Sequence, residues 1–89
     1  MYLLYCPCPN LESASKLAKT LVDQKMAFCC NILSNVTSIF FWQDKLQEDN
    51  ETVLVAKTLS DEPEKIVKYL EGIHPYEEPV IIYWPVLKN

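Results

Sequence analysis

Residues 29–42, CCNILSNVTSIFFW, decide the fold. β-Branched and aromatic side chains dominate this run, which is typical of a strand, although it is unusually long for one. We therefore place a bulge or bend at Ser34-Asn35. The polar residues Gln43-Asp44-Lys45 follow, and Thr52–Leu59 is again β-branched and apolar. The pattern predicts a long β-hairpin that turns near Asp44.

Upstream of this hairpin, the sequence predicts one strand and one helix. Tyr2–Cys6 is a short apolar run that Pro7 would end, which is typical of a buried strand. Residues 11–25 carry apolar side chains at spacings of three and four, the pattern of an amphipathic helix. Asn10 stands where its side chain can cap the first free amides of that helix.

Downstream of the hairpin, a second helix and a last strand are predicted. Asp61 is the expected N-cap, with Glu64 three residues later and Pro63 in the first turn. Val80–Val86 is the last strand. The order β-α-β-β-α-β predicts an α+β, ferredoxin-like fold with an antiparallel sheet of order 4-1-3-2. We expect one domain over residues 1–89.

Composition excludes several classes of function. The chain has a net charge of −4, and all eight of its cationic side chains are lysines. Without arginine, and with a negative charge, nucleic-acid binding is not expected. The single glycine excludes glycine-rich phosphate loops. No apolar run is long enough for export or membrane insertion, so we predict a cytoplasmic protein without a membrane partner. No nucleophile with an acid–base pair can be assembled, so we do not predict an enzyme.

Cys6-Pro7-Cys8 and His74 form the candidate metal site. In the predicted topology the end of the first strand lies beside the His74 loop, and two sulfurs with one imidazole suit copper or zinc. Glu77 or Glu78 could add an oxygen ligand. Alternatively, Cys6 is a small buried core residue and His74 only bonds within a turn. Cys29 and Cys30 start the second strand at the opposite edge, so all four cysteines cannot share one ion.

Lys57 lies within an apolar strand, where an amine needs a partner. A carboxylate is the expected partner, from Glu48, Glu51 or Glu77, within or between subunits. The alternative is a lysine that binds an anion in a cleft. A surplus of aromatic side chains, including Trp42, indicates an interface.

Four blocks of sequence, in this order and spacing, are similar to one family: AFCCNI (27–32), SIFFWQDKL (38–46), ETVLVAKT (51–58) and HPYEEP (74–79). They resemble the CutA family of divalent-ion tolerance proteins, over nearly the whole chain. The resemblance implies a ferredoxin-like fold, a homotrimer whose hairpins pair across the interfaces, and binding of copper or another divalent cation. It also implies loose kinship to trimeric PII signalling proteins.

Carried over residue by residue, the resemblance implies metal ligands at Cys6 and His74. Ile73 stands where copper-binding bacterial members have another histidine, and Cys8, outside the family pattern, is the candidate substitute. The family normally continues past residue 89 into a short strand and helix. The alternative function is a PII-like module that binds a small anion or metabolite in intersubunit clefts. That cleft would be lined by Lys57, Trp42, Tyr76, Glu77 and Glu51.

Overall fold

The computed structural model describes residues 1–89 and places two helices against one face of an antiparallel sheet. The elements follow in the order β1 (Tyr2–Cys8), α1 (Leu11–Asp23), β2 (Cys29–Trp42), β3 (Lys45–Thr58), α2 (Pro63–Ile73) and β4 (Ile82–Pro85). The sheet order is β2-β3-β1-β4. The predicted α+β class, element order and sheet order 4-1-3-2 are confirmed. Neither helix has the length and apolar character required to cross a lipid bilayer.

The long hairpin has the predicted irregularities. The register of β2 with β3 shifts between Leu33 and Val36, and Asn35 has a φ of 60°. At the tip, Gln43 and Asp44 have φ values of 53° and 61°. Positive φ at both central residues is the signature of a type I′ hairpin turn, which matches the twist of the strands. The bulge and the turn near Asp44 are therefore confirmed.

Half of the hairpin projects beyond the sheet. β1 pairs with β3 only from Tyr2↔Thr58 to Cys8↔Thr52, whereas β2 and β3 remain paired from Val36↔Glu51 to Trp42↔Lys45. This two-stranded segment, residues 36–51, is called the ribbon below. It exposes apolar side chains, among them Ile39 (64%), Phe41 (75%), Trp42 (60%) and Leu46 (68%). The ribbon accounts for the elongated shape of the chain, 40 Å in its longest dimension.

The core lies between the helices and the sheet. Alternation along β1 turns Leu4, Cys6 and Cys8 toward the helices, where each is at most 1% exposed. Residues of β3, of both helices and of the loop before β2 complete the cluster: Leu54, Ala56, Ala14, Leu17, Ala18, Leu21, Ile66, Leu70 and Ala27. Each leucine buried here contributes about 1.5–3 kcal/mol. The two cysteines of β1 are therefore part of the core.

The first strand extends further than predicted. Pro7 lies inside β1, opposite Val53, instead of ending it. The other neighbour, β4, pairs only with Tyr2–Tyr5, so Pro7 lies beyond the doubly paired part of β1. A residue without an N–H is tolerated where one side of a strand is unpaired.

The predicted N-cap of the second helix is wrong. Glu62, not Asp61, precedes α2, and its side chain makes no capping bond. Pro63 takes the first helical position, which suits its fixed φ and its missing N–H and so moves the cap to residue 62. Asn10 is confirmed as the cap of α1, because its Oδ1 accepts the Ser13 N–H at 2.8 Å.

Asn35→Val should destabilise the fold by about 1–2 kcal/mol, because a β-branched residue is strained at positive φ. Asn35→Gly should be neutral or stabilising. Asn31→Val is the matched control on the same strand, at an exposed position without positive φ. Urea unfolding at one fixed protein concentration measures all three, and equal losses for the two valine variants would contradict the argument.

Candidate metal centre

Cys6, Cys8 and His74 converge as predicted. One ligand atom from each lies within 4.8 Å of the others, and all three residues are buried. Two neighbouring positions on one face of β1 supply the sulfurs. His74 follows directly after α2, where its N–H donates to the Leu70 carbonyl at 2.9 Å. The end of one strand and the end of one helix therefore bring together groups far apart in sequence.

Both ring nitrogens of His74 have hydrogen-bond partners. The backbone N–H of Tyr76 donates to Nδ1 at 3.0 Å. Because a backbone N–H can only donate, Nδ1 of the neutral ring carries the lone pair and Nε2 carries the proton. Nε2 then donates to the Pro7 carbonyl at 2.9 Å. Since β4 stops opposite Tyr5, His74 supplies this carbonyl with a donor that the strand does not.

The three side chains fit a soft metal ion in chemistry and in spacing. Cys8 Sγ and His74 Nε2 are 3.8 Å apart. A sulfur and a nitrogen that share one ion at about 2.3 and 2.0 Å, at tetrahedral angles, lie roughly 3.5 Å apart. Sulfur and imidazole suit copper and zinc and are poor ligands for magnesium and calcium. Binding requires an adjustment at Nε2, where a proton occupies the position that a ligand lone pair would take.

The thiols differ in acidity. A hydrogen bond with Cys8, followed by burial, raises the pKa of Cys6 far above its usual range, whereas the same hydrogen bond lowers the pKa of Cys8. Cys8 is therefore the thiol that ionises first. Burial lowers the pKa of His74, so its ring stays neutral at pH 7. A thiolate beside a neutral imidazole is the state that binds a metal ion.

A second polar group adjoins the site through Tyr76. Its hydroxyl donates to Glu51 Oε2 at 2.7 Å, and Ser38 Oγ donates to Glu51 Oε1 at 2.6 Å. The Tyr76 ring lies 5.0 Å from the His74 ring, centroid to centroid. Burial, and then the bond to Glu51, raises the pKa of Tyr76. Tyr76 and Glu51 were predicted for a cleft, but their contact with each other and the hydrogen bond from Ser38 were not predicted.

The remaining cleft residues do not join this group within one chain. Trp42 pairs with Lys45 at the hairpin tip, and Lys57 lies near the other end of β3, roughly 40 Å away at about 3.3 Å per residue. Glu77 and Glu78 are exposed and do not belong to the cluster of metal-ligating atoms. The structure thus unites Tyr76 with Glu51 and leaves Lys57, Trp42 and Glu77 apart.

No intrachain partner holds Lys57. The single ion pair of the chain joins Lys65 to Glu62 at 2.8 Å. Glu48 and Glu51 lie on the same strand as Lys57, six residues or more away, beyond side-chain reach at about 3.3 Å per residue. The predicted carboxylate partner of Lys57 is therefore absent within the chain, and an ion pair with another subunit stays a prediction.

Cys29 and Cys30 lie where they were predicted. Cys29 pairs with Lys57, which pairs in turn with Leu3 near the start of β1. Cys29 is therefore five residues along the sheet from Cys8, roughly 17 Å. The two cysteine pairs cannot share a metal ion within one chain.

Comparison with known proteins identifies relatives. Residues 2–89 match the family described as CutA1 divalent ion tolerance protein. The chain is 39% identical over 82 residues to "Protein CutA homolog" of Xenopus laevis, an alignment that covers 92% of this chain and 54% of that protein. The chain thus spans about half the length of that curated relative and of mammalian ones.

Solved structures agree with the fold. A crystal structure of CutA1 from Ehrlichia chaffeensis superposes with a TM-score of 0.91 at 34% identity, covering 99% of this chain and 83% of that one. The "periplasmic divalent cation tolerance protein CutA" of Archaeoglobus fulgidus gives 0.90 at 30% identity, with 100% and 87% covered.

The imidazole of the sole histidine should titrate below pH 6.5, because its burial disfavours the charged ring. Because the pKa of His74 is lower in the native state than in the unfolded state, the unfolded chain binds more protons than the native chain at pH values between these two pKa values. The contribution of His74 to the free energy of unfolding should then be constant above about pH 6.5 and fall as the pH drops toward the native pKa. NMR of the ring carbons measures the pKa, and His74→Gln should remove this part of the pH dependence. A value of 6.5 or higher would contradict the burial argument.

Proposed function

The chain belongs to the CutA1 divalent ion tolerance family, and we propose that it binds copper, or another ion such as zinc, through Cys6, Cys8 and His74. The observation that carries this proposal is the convergence of two thiols and one imidazole within 4.8 Å in the core. Free cysteines are common in cores, but two on one strand face beside the only histidine form a donor set.

The protein supplies the protonation states that such a site requires. Cys8 ionises first, Cys6 gives up its proton when an ion binds, and His74 is neutral at pH 7. Binding therefore releases protons, and affinity should fall as the pH is lowered. A buried copper ion is kept from reacting with other solutes, which is consistent with the word tolerance in the relatives' names.

We also propose that the chain acts as a homotrimer. A two-stranded ribbon is at best marginally stable alone in water. The ribbon here carries Ile39, Phe41, Trp42 and Leu46 with 60% or more of each exposed. Like subunits that cover these side chains would stabilise the ribbon and pair its unprotected edges.

The names of relatives bear on catalysis and location. The family is named for ion tolerance and not for a reaction. One solved relative is called periplasmic and one curated relative chloroplastic, so the cytoplasmic location of this chain stays a prediction. We further propose that residues 1–89 form a single CutA-like domain.

Replacing a ligand should weaken binding of Cu(I) or Zn(II). Cys6→Ser, Cys8→Ser and His74→Ala should each lower the affinity by about tenfold or more, the scale on which a disturbed metal site responds. Anaerobic competition against a chelator of known affinity measures this, and Mg(II) and Ca(II) should not compete.

Cys29→Ser is the matched control for the thiol variants, because Cys29 lies two strands away from the site. It should bind as the wild type does. If Cys29→Ser abolishes binding while Cys6→Ser leaves it intact, the proposed site is wrong.

Light scattering should report a particle of about three times 10.3 kDa. Phe41→Glu should shift the population toward monomer, because it places a charge on the ribbon at a side chain that is 75% exposed in the single chain. Leu11→Glu is the control: Leu11 is also exposed but lies in the first turn of α1, where an acidic residue is favourable. A wild-type monomer at micromolar concentration would contradict the trimer.

A further inference from the structure

We propose that occupation of the metal site is coupled, through His74, to the contact between Tyr76 and Glu51, so that loading the site releases Tyr76 from Glu51. The proposal rests on the proposed metal-binding function. It concerns the hydrogen bonds that His74 makes, which determine which nitrogen is free to act as a ligand.

The structure holds His74 in the tautomer that cannot bind a metal ion through Nε2. The Tyr76 N–H occupies the lone pair of Nδ1, so Nε2 carries the proton and donates it to the Pro7 carbonyl. Nε2 is also the nitrogen that lies 3.8 Å from Cys8 Sγ, and therefore the one that the thiols can share an ion with. To act as a ligand, Nε2 must lose its proton, and a neutral ring must then carry a proton on Nδ1.

A proton on Nδ1 is incompatible with the present position of Tyr76. The N–H of Nδ1 would then point at the backbone N–H of Tyr76, where the structure has a hydrogen bond of 3.0 Å. Two donors cannot face each other at that distance, so the Tyr76 backbone must move away. The ring cannot simply turn away from Tyr76, because Nε2 must stay beside the two cysteines to share their ion.

Few other contacts hold Tyr76 in place. Residues 74–81 contain no helix or strand, and none of the backbone hydrogen bonds outside regular structure involves residues 75–81. The recorded hydrogen bonds of Tyr76 are its N–H to His74 and its hydroxyl to Glu51. Displacing the Tyr76 N–H from His74 therefore strains the hydrogen bond from the Tyr76 hydroxyl to Glu51, whose donor and acceptor are 2.7 Å apart.

Glu51 links this change to the ribbon. Its carboxylate holds Tyr76 on one oxygen and Ser38 on the other, and both Ser38 and Glu51 lie at the base of the ribbon. When Tyr76 leaves, one oxygen of Glu51 becomes available to another donor. The ribbon, which we propose to be the subunit interface, thereby senses the state of a site buried under the helices.

Coupling of this kind is reciprocal, which makes it measurable. If loading the site strains the Tyr76–Glu51 bond, then removing that bond should favour loading. Tyr76→Phe keeps the ring and the backbone N–H and removes only the hydroxyl. Cu(I) should then bind roughly three- to tenfold more tightly, the effect of one hydrogen bond. Tyr83→Phe, on the exposed strand β4, is the matched control and should leave the affinity unchanged.

NMR of the imidazole nitrogens provides a second readout, without interference because the chain has one histidine. Before Cu(I) is added, the proton should be found on Nε2; in the Cu(I)-loaded protein it should be on Nδ1, and the Tyr76 amide should exchange with solvent faster. Unchanged or weaker Cu(I) binding by Tyr76→Phe, or a proton that stays on Nε2 after loading, would overturn the coupling while the metal-binding function stands. A wild-type protein that binds no Cu(I) would overturn both.

Discussion

The antiparallel pairing of β1 with β3 positions both thiols of the candidate metal centre and, beside them, Glu51. Its register places Cys8 opposite Thr52, so Glu51 follows directly beyond the last pair. Alternation along β1 then turns both thiols toward the helices, into the core. Because β4 covers only the first residues of β1, the Pro7 carbonyl remains for His74. A shift of one residue in this register would turn both sulfurs to the opposite face of the sheet.

Both imidazole nitrogens of the buried site are hydrogen-bonded. No buried side-chain nitrogen or oxygen lacks a partner, and His74 contributes to this with both of its ring nitrogens. A net hydrogen bond is worth about 0.5–1.5 kcal/mol, whereas a structural zinc ion held by thiolates and imidazoles contributes about 10–16 kcal/mol. Binding on that scale outweighs the few hydrogen bonds that His74 and Tyr76 would give up. The balance permits a protein that folds around its own hydrogen bonds and still takes up an ion.

Local sequence patterns were sufficient to predict the helices and strands. The features that they did not predict depend on contacts between segments that are distant in the sequence. The composition of Cys29–Trp42 was sufficient to predict the long strand, and Asn35 within it was sufficient to predict the bulge. The continuation of β1 through Pro7 depends on how far β4 extends, which no local pattern contains. The meeting of Cys6, Cys8 and His74 followed from topology, whereas the tautomer of His74 depends on a loop hydrogen bond from Tyr76. The contact of Tyr76 with Glu51 depends on the path of that same loop.

The separation of the donors along the chain has a consequence for synthesis. Cys8 and His74 are 66 positions apart, and β1 pairs with a strand near the other end of the chain, Tyr2 with Pro85. On a ribosome both thiols are made several seconds before the imidazole, at roughly 5–20 residues per second. During that interval the sulfurs are open to oxidants and to any thiol-seeking ion. A nascent chain of this protein is therefore chemically more vulnerable than the finished one, in which the same sulfurs lie under two helices and a histidine.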